Sequence, residues 1–150
     1  MPSKLFYDEE APKDGEGNGK GWMLSNWNQN TNNDGWTNWS LPIDNGYFGV
    51  NVFGRTETER IQITDKALTN PWQAPGTYAE EVGLNNFSET YLDFNHTNNE
   101  VINYERYLDI NTAISGVKYD YEGVTYTREY ITSYPDKALV IYLEVVKKGR

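Results

Sequence analysis

Carboxylates are the most plentiful groups in this sequence that could do chemistry, with 22 Asp and Glu. Two of them held roughly 5–10 Å apart could hydrolyse a glycosidic bond, one giving a proton and the other activating water or attacking the sugar. Glu57, Glu59 and Asp65 flank a hairpin pattern, while Asp93 and Asp109 interrupt strand patterns. Nothing in their spacing makes such a pair, and solvated surface is the ordinary place for these groups. Asn30, Asn32, Asp34 and Gly35 fit the opening of a calcium loop, but the closing position falls on Leu41 where a bidentate Glu is required. An Asx-rich turn is the better reading. His96 is the single histidine and lies in the polar run Asn95-His-Thr-Asn-Asn99. With no second His and no Cys it completes neither a zinc set nor a triad, so it reads as an exposed loop residue. Trp22, Trp27, Trp36 and Trp39 share an Asn- and Gly-rich stretch. They read as packing anchors ahead of a sugar-stacking platform.

The composition sets the frame for these groups. A chain of 150 residues predicts one domain, long enough to bury roughly 68–70% of its unfolded surface. Cysteine is absent, which excludes disulfides, thiolate metal sites and cysteine nucleophiles. The 13 Lys and Arg leave a net charge of -9, which would repel a phosphate backbone, so nucleic acid is not an expected partner. No apolar run approaches the roughly 20 residues that span a bilayer, so no membrane is expected either. The first twenty residues carry Asp8, Glu9, Glu10, Asp14 and Glu16 and do not read as a secretory signal. Either the protein is cytoplasmic, the favoured expectation, or a leader lies upstream. The sequons at Asn38, Asn86 and Asn95 would matter only in a secreted eukaryotic protein.

Residues 1–40 form a loop-rich lead-in, because Gly adds backbone entropy and Asn competes for local backbone hydrogen bonds. From there to residue 150 the signal is strand after strand. Tyr47–Phe53, Arg60–Ile63 and Thr90–Phe94 are short β-branched or aromatic runs bounded by turn residues. Val101–Ile110, Ala113–Tyr121, Val124–Ser133 and Ala138–Val146 follow at spacings that suggest antiparallel neighbours. In Val124–Ile131 the polar Thr125, Thr127 and Glu129 alternate with Val124, Tyr126 and Tyr130, and Arg128 interrupts the inner row. Glu122-Gly123 reads as a hairpin turn, and Tyr134-Pro-Asp-Lys137 as a turn with Pro at its second position. Asp65–Leu68 is the one helical candidate and is at most a turn. The final strand is apolar on both faces, which predicts a central strand covered on both sides, within a sheet that these residues do not complete. The expected fold is an all-β antiparallel sandwich with a long Asn/Gly/Trp-rich N-terminal loop segment.

Four collinear blocks resemble the N-terminal domain of glycoside hydrolase family 95, the α-L-fucosidases with some α-L-galactosidases. The first is Leu41-Pro-Ile-Asp-Asn-Gly-Tyr-Phe-Gly-Val-Asn-Val-Phe-Gly54, after an opening Leu5-Phe-Tyr7, and the second is Glu59-Arg-Ile-Gln-Ile-Thr-Asp-Lys-Ala-Leu68. The third is Tyr91-Leu-Asp-Phe94. The fourth runs from Tyr104-Glu-Arg-Tyr-Leu-Asp-Ile-Asn-Thr-Ala113 through Gly123-Val-Thr-Tyr-Thr-Arg-Glu-Tyr130 to Ser133-Tyr-Pro-Asp136. Asp44 stands where the family has the first Gly of Gly-Asn-Gly, Thr64-Asp-Lys66 replaces Asn-Glu-Asp, and Trp72 comes later than the family's Trp.

The resemblance implies that residues 1–150 are part of the N-terminal sandwich, a supersandwich, of a large inverting glycosidase. Its catalytic Glu, Asn and Asp would lie in an (α/α)6 barrel absent from this chain, so there is no catalytic residue here and the chain alone is expected to be inactive. The barrel is the expected partner, the glycan substrate is met through the full enzyme, and neither cofactor nor metal is implied. Asn45-Gly46 would form a loop tip able to rest against the barrel. Asn45, Thr64, Asp65 and Trp72 are therefore the candidates for a substrate-side or interdomain surface. A non-catalytic carbohydrate-binding module using Trp-rich segment 22–39, and a structural interaction domain, are the alternatives.

Overall fold

A computed structural model describes residues 3–11, 39–69, 84–96 and 100–147. The Trp-rich segment up to residue 38, the calcium-like run and Trp72 lie outside the described residues. Nine strands fill the described part: β1 Lys4–Tyr7, β2 Leu41–Asp44, β3 Phe48–Val52, β4 Thr58–Thr69, β5 Leu84–Asp93, β6 Ile102–Asp109, β7 Ile114–Tyr121, β8 Val124–Ser133 and β9 Ala138–Lys147. They make two antiparallel sheets, one in the order β1-β6-β7-β8-β9 and one in the order β2-β3-β4-β5. The fold is the expected all-β sandwich.

The core lies between the sheets. Ile43, Val50, Val52 and Ile61 from the four-stranded sheet meet Val117, Tyr119, Tyr121 and Tyr130 from the five-stranded one. Each such burial is worth about 1.5–3 kcal/mol. Alternation explains the division on β7 and β8. Residues 115, 117, 119 and 121 pair across the strands with 130, 128, 126 and 124, and Val117, Tyr119, Arg128 and Tyr130 all sit on the inner face.

The turns follow their residue chemistry. Glu122 and Gly123 both take positive φ, +49° and +75°, the geometry of a two-residue hairpin whose twist matches that of the strands. At the β8–β9 turn the Lys137 amide donates to the Tyr134 carbonyl and Lys137 closes it with a φ of +50°.

Three expectations are corrected. Asp65–Leu68 is part of strand β4, because Phe48 and Gly49 of β3 pair with Asp65 and Thr64 and draw the chain onward in extended form. Among the described residues the final strand does not hold the central place expected of it. There β9 pairs only with β8, and Val140, Tyr142, Leu143, Val145 and Val146 are exposed on both of its faces. Apolar residues on both faces record a need for cover, and say nothing about which neighbour supplies it. His96 is buried, 8% exposed, because Tyr119, Tyr121 and Tyr126 of β7 and β8 form the walls around it. The polarity of its own loop gave no sign of those rings.

Candidate functional site

Among the described residues the most heavily bonded group in the interior is Glu59, which is fully buried. It is in phase with Ile61 on β4 and so points inward. Its Oε1 accepts from the amides of Phe53 at 3.2 Å, Gly54 at 2.9 Å and Arg60 at 3.1 Å. Its Oε2 accepts from the Tyr130 hydroxyl at 3.1 Å and faces Arg128 Nη2 at 3.3 Å. Burial pushes the Glu59 carboxyl above the usual carboxylate range, while Arg128, the Gly54 and Phe53 amides and Tyr130 pull it down. The solvated surface expected for this carboxylate is thus corrected.

Side chains of the five-stranded sheet finish the same job on the β3–β4 loop. Arg106 donates through Nη1 to the carbonyls of Phe53, at 3.2 Å, and Trp39, and through Nε to that of Glu9 at 3.1 Å. The Tyr104 hydroxyl donates to the Gly54 carbonyl at 2.6 Å, and Arg128 Nη2 to the Arg55 carbonyl at 2.5 Å. Glu10 accepts from the Thr56 amide at 3.3 Å and the Thr56 hydroxyl at 2.5 Å. A loop pressed against a core must satisfy its backbone groups, and here charged side chains do so. These contacts are all internal, and among the described residues the cluster is a structural lock on the loop. Arg128, which interrupts the inner row of β8, and Arg106, in phase with Tyr104 and Leu108, were its signals in the sequence.

The opposite end of the sandwich is where most of the candidate residues gather. Asn45 Nδ2 donates to the Ser133 carbonyl at 2.8 Å, and its Oδ1 accepts from the amides of Tyr47 at 2.9 Å and Phe48 at 3.1 Å. That side chain ties the β2–β3 turn to the β8–β9 turn. Asp65 is half-buried on β4 opposite Phe48, and its Oδ1 accepts from the Ala67 amide at 2.7 Å. Thr64 is half-buried opposite Gly49, beside a register irregularity in the β4–β5 ladder. Around them, Lys66 Nζ and Lys137 Nζ lie 4.5 and 4.6 Å from the centre of the Tyr47 ring, and Tyr134 packs against it at 5.9 Å. Tyr134 is 62% exposed.

This end offers rings, ammonium groups and the carboxylates of Asp44, Asp65 and Asp136 on three closely tied segments. It suits hydrogen bonding and stacking with hydroxylated or protein surfaces. Asn45→Ala is expected to cost about 1–2 kcal/mol through the lost bonds, read as a fall of several degrees in Tm. Asn45→Asp, which keeps the acceptor, should lose less.

Trp39 is half-buried against Ala11 and Phe53, with the Arg106 guanidinium 5.5 Å from its ring centre. Of the tryptophans in segment 22–39 it is the one described, and it packs inward as an anchor. Among the described residues no group of three or more His, Cys, Asp or Glu is placed to hold a metal ion.

The family model described as glycosyl hydrolase family 65, N-terminal domain, matches residues 73–150. The chain belongs to that family. The N-terminal domain of a glycoside hydrolase is thus established, and the match takes in β5 of the four-stranded sheet and β6 to β9, the five-stranded sheet apart from β1. Alpha-L-fucosidase 2 of Arabidopsis thaliana is 25% identical over 148 residues, covering 76% of this family 65 N-terminal domain chain. The chain spans 17% of the length of that relative.

Proposed function

We propose that these residues form the accessory N-terminal β-domain of an inverting exo-glycosidase that releases α-linked L-fucose or L-galactose from glycans. Catalysis would reside outside this chain, on a partner barrel domain of the same polypeptide. The observation that carries this reading is the likeness to alpha-L-fucosidase 2 over 76% of the chain, together with the four blocks that resemble family 95. The fate of the buried carboxylates supports it. Glu59 is spent on the lock, and Asp120 accepts from Asn103 and Thr125, both at 2.6 Å. A general acid or base needs a free face toward substrate, and neither has one.

The end bearing Asn45, Thr64 and Asp65 is the proposed substrate-side or interdomain surface, with Trp72 as a further member of it. The exposed apolar rows of β9 support a docked role as well, since such a surface marks contact with another body.

The test compares the intact polypeptide that carries these residues with the 150-residue chain. Release of L-fucose from fucosyllactose by the first and none by the second is expected. Hydrolysis by the short chain, or an intact polypeptide inert on both L-fucosyl and L-galactosyl substrates, would overturn the reading. Trp72→Ala in the intact polypeptide should raise KM or weaken domain docking; unchanged kinetics together with an unchanged melting profile would remove Trp72 from the surface. Millimolar or tighter binding of fucosyllactose by the chain alone, with a change in Trp fluorescence, would favour a carbohydrate-binding module instead.

A further inference from the structure

His96 sits at the end of the sandwich away from Asn45, in a box of aromatic rings. It stacks on Tyr121 with centres 4.1 Å apart, meets Tyr126 edge-on at 4.8 Å and Tyr119 at 5.6 Å, and has Phe94 at 6.0 Å. The Tyr119 hydroxyl lies 2.9 Å from His96 Nε2 and 3.4 Å from the Thr56 carbonyl. A phenol has one proton, and a carbonyl can only accept. The 2.9 Å contact is well within hydrogen-bond range and the 3.4 Å one is long for a hydroxyl bond, so a neutral ring can accept the phenol's proton at Nε2. A protonated ring carries N–H on both nitrogens and can only donate, so it cannot keep that acceptor.

We propose that His96 is an acid-sensitive catch, which when neutral holds the chain leaving β5 and, through Tyr119, the 53–57 loop against the five-stranded sheet, and which loosens both when protonated. Three charged groups face it. Arg128 of β8 spreads its guanidinium over the Phe94 ring at 4.6 Å and the Tyr119 ring at 5.7 Å. That charge sits over two of the four rings around His96 and repels a second cation beside it. Glu122 of the β7–β8 turn and Glu10 of the N-terminal segment act the other way. Burial first, then Arg128, holds the ring below the ordinary imidazole value. Tyr119 stays a neutral phenol, pushed up by its own burial.

The sign follows from linkage. A folded value below the unfolded one, near 6.5, means that the folded chain binds fewer protons in that window. The contribution to stability is fully present above the unfolded value and is lost as the pH falls through the folded one. Glu59, whose carboxyl is raised, works with the opposite sign, so it must cancel in the comparison.

The experiment is amide hydrogen exchange between pH 7.5 and 5.5, corrected for intrinsic rates, on the protein and its His96→Gln variant. The Gly54 and Thr56 amides, bound to Glu59 and Glu10, report the loop, and Val117 reports the core. In the parent, loop protection should fall relative to Val117, about tenfold for each unit by which the folded value lies below the unfolded one. In His96→Gln it should stay level. An equal fall in the variant overturns the proposal. If the variant does not fold, the parent alone decides: the midpoint of the protection loss must coincide with the titration of the His96 ring protons, and a mismatch overturns it.

Discussion

Glu59→Ala lowers the unfolding free energy by about 3–5 kcal/mol, the expected cost of leaving a buried partner charge uncompensated, and moves the urea midpoint down by more than about 1 M. The effect is large because Arg128 is 1% exposed and keeps its charge, while the amides of Phe53 and Gly54 lose their acceptor. Each orphaned buried group adds to the loss. Against a typical total of about 5–15 kcal/mol this leaves little. Glu59→Gln separates the two contributions. The amide oxygen still accepts from the loop, so the remaining loss belongs to the unpaired guanidinium. Adding Arg128→Met to Glu59→Gln should then recover stability, and a double-mutant cycle by urea denaturation reads the coupling. A recovery near zero would mean that Arg128 is held by the Arg55 carbonyl and the Phe94 ring more than by the carboxylate.

The second large effect is expected at Gly54. This residue has a φ of +76°, and a Cβ there would lie 2.8 Å from the Tyr104 hydroxyl, 2.9 Å from Arg106 Cδ and 3.3 Å from Val117 Cγ2. Gly54→Val combines a left-handed backbone, about 1–2 kcal/mol, with crowding of about 1–3 kcal/mol. It also displaces the Tyr104 hydroxyl from the Gly54 carbonyl. Gly46→Ala is the control, because φ there is +79° and nothing lies within 4 Å of the added methyl. It should lose only the backbone part. Thermal melts of the two variants distinguish the causes, and equal shifts would show that the close approach at Gly54 relaxes freely.

The sequence is most readable where structure is local. The strands β6 to β9 fall within a residue or so of the runs beginning at Val101, Ala113, Val124 and Ala138, because period-two alternation and tight turns carry their own signal. Lys4–Tyr7 and Leu41–Asp44 went unread as strands. Each is four residues long and takes its extended form from a distant partner, β6 for one and β3 for the other. The lock was half legible. Arg128 broke an inner row visibly, but its partner Glu59 is 69 positions away on another sheet, and no local pattern joins them. His96 was misread for the same reason, since its surroundings come from β7 and β8. Asn45, Thr64 and Asp65 were gathered by resemblance, and the fold sets them on one end through strand register and the bond from Asn45 to Ser133.

The open edge of β9 has a consequence measured in time. On the proposed reading, these residues leave the ribosome while most of the polypeptide is still unmade, the aligned stretch being 17% of the relative's length. At about 5–20 residues per second, the remainder takes on the order of a minute. Until a neighbour covers it, a ten-residue strand rich in Val, Leu and Ile presents an edge that has no partner among the described residues, open to any neighbouring chain. On that reading, early cover of β9, by the next segment or by a chaperone, keeps the nascent polypeptide from pairing with other chains.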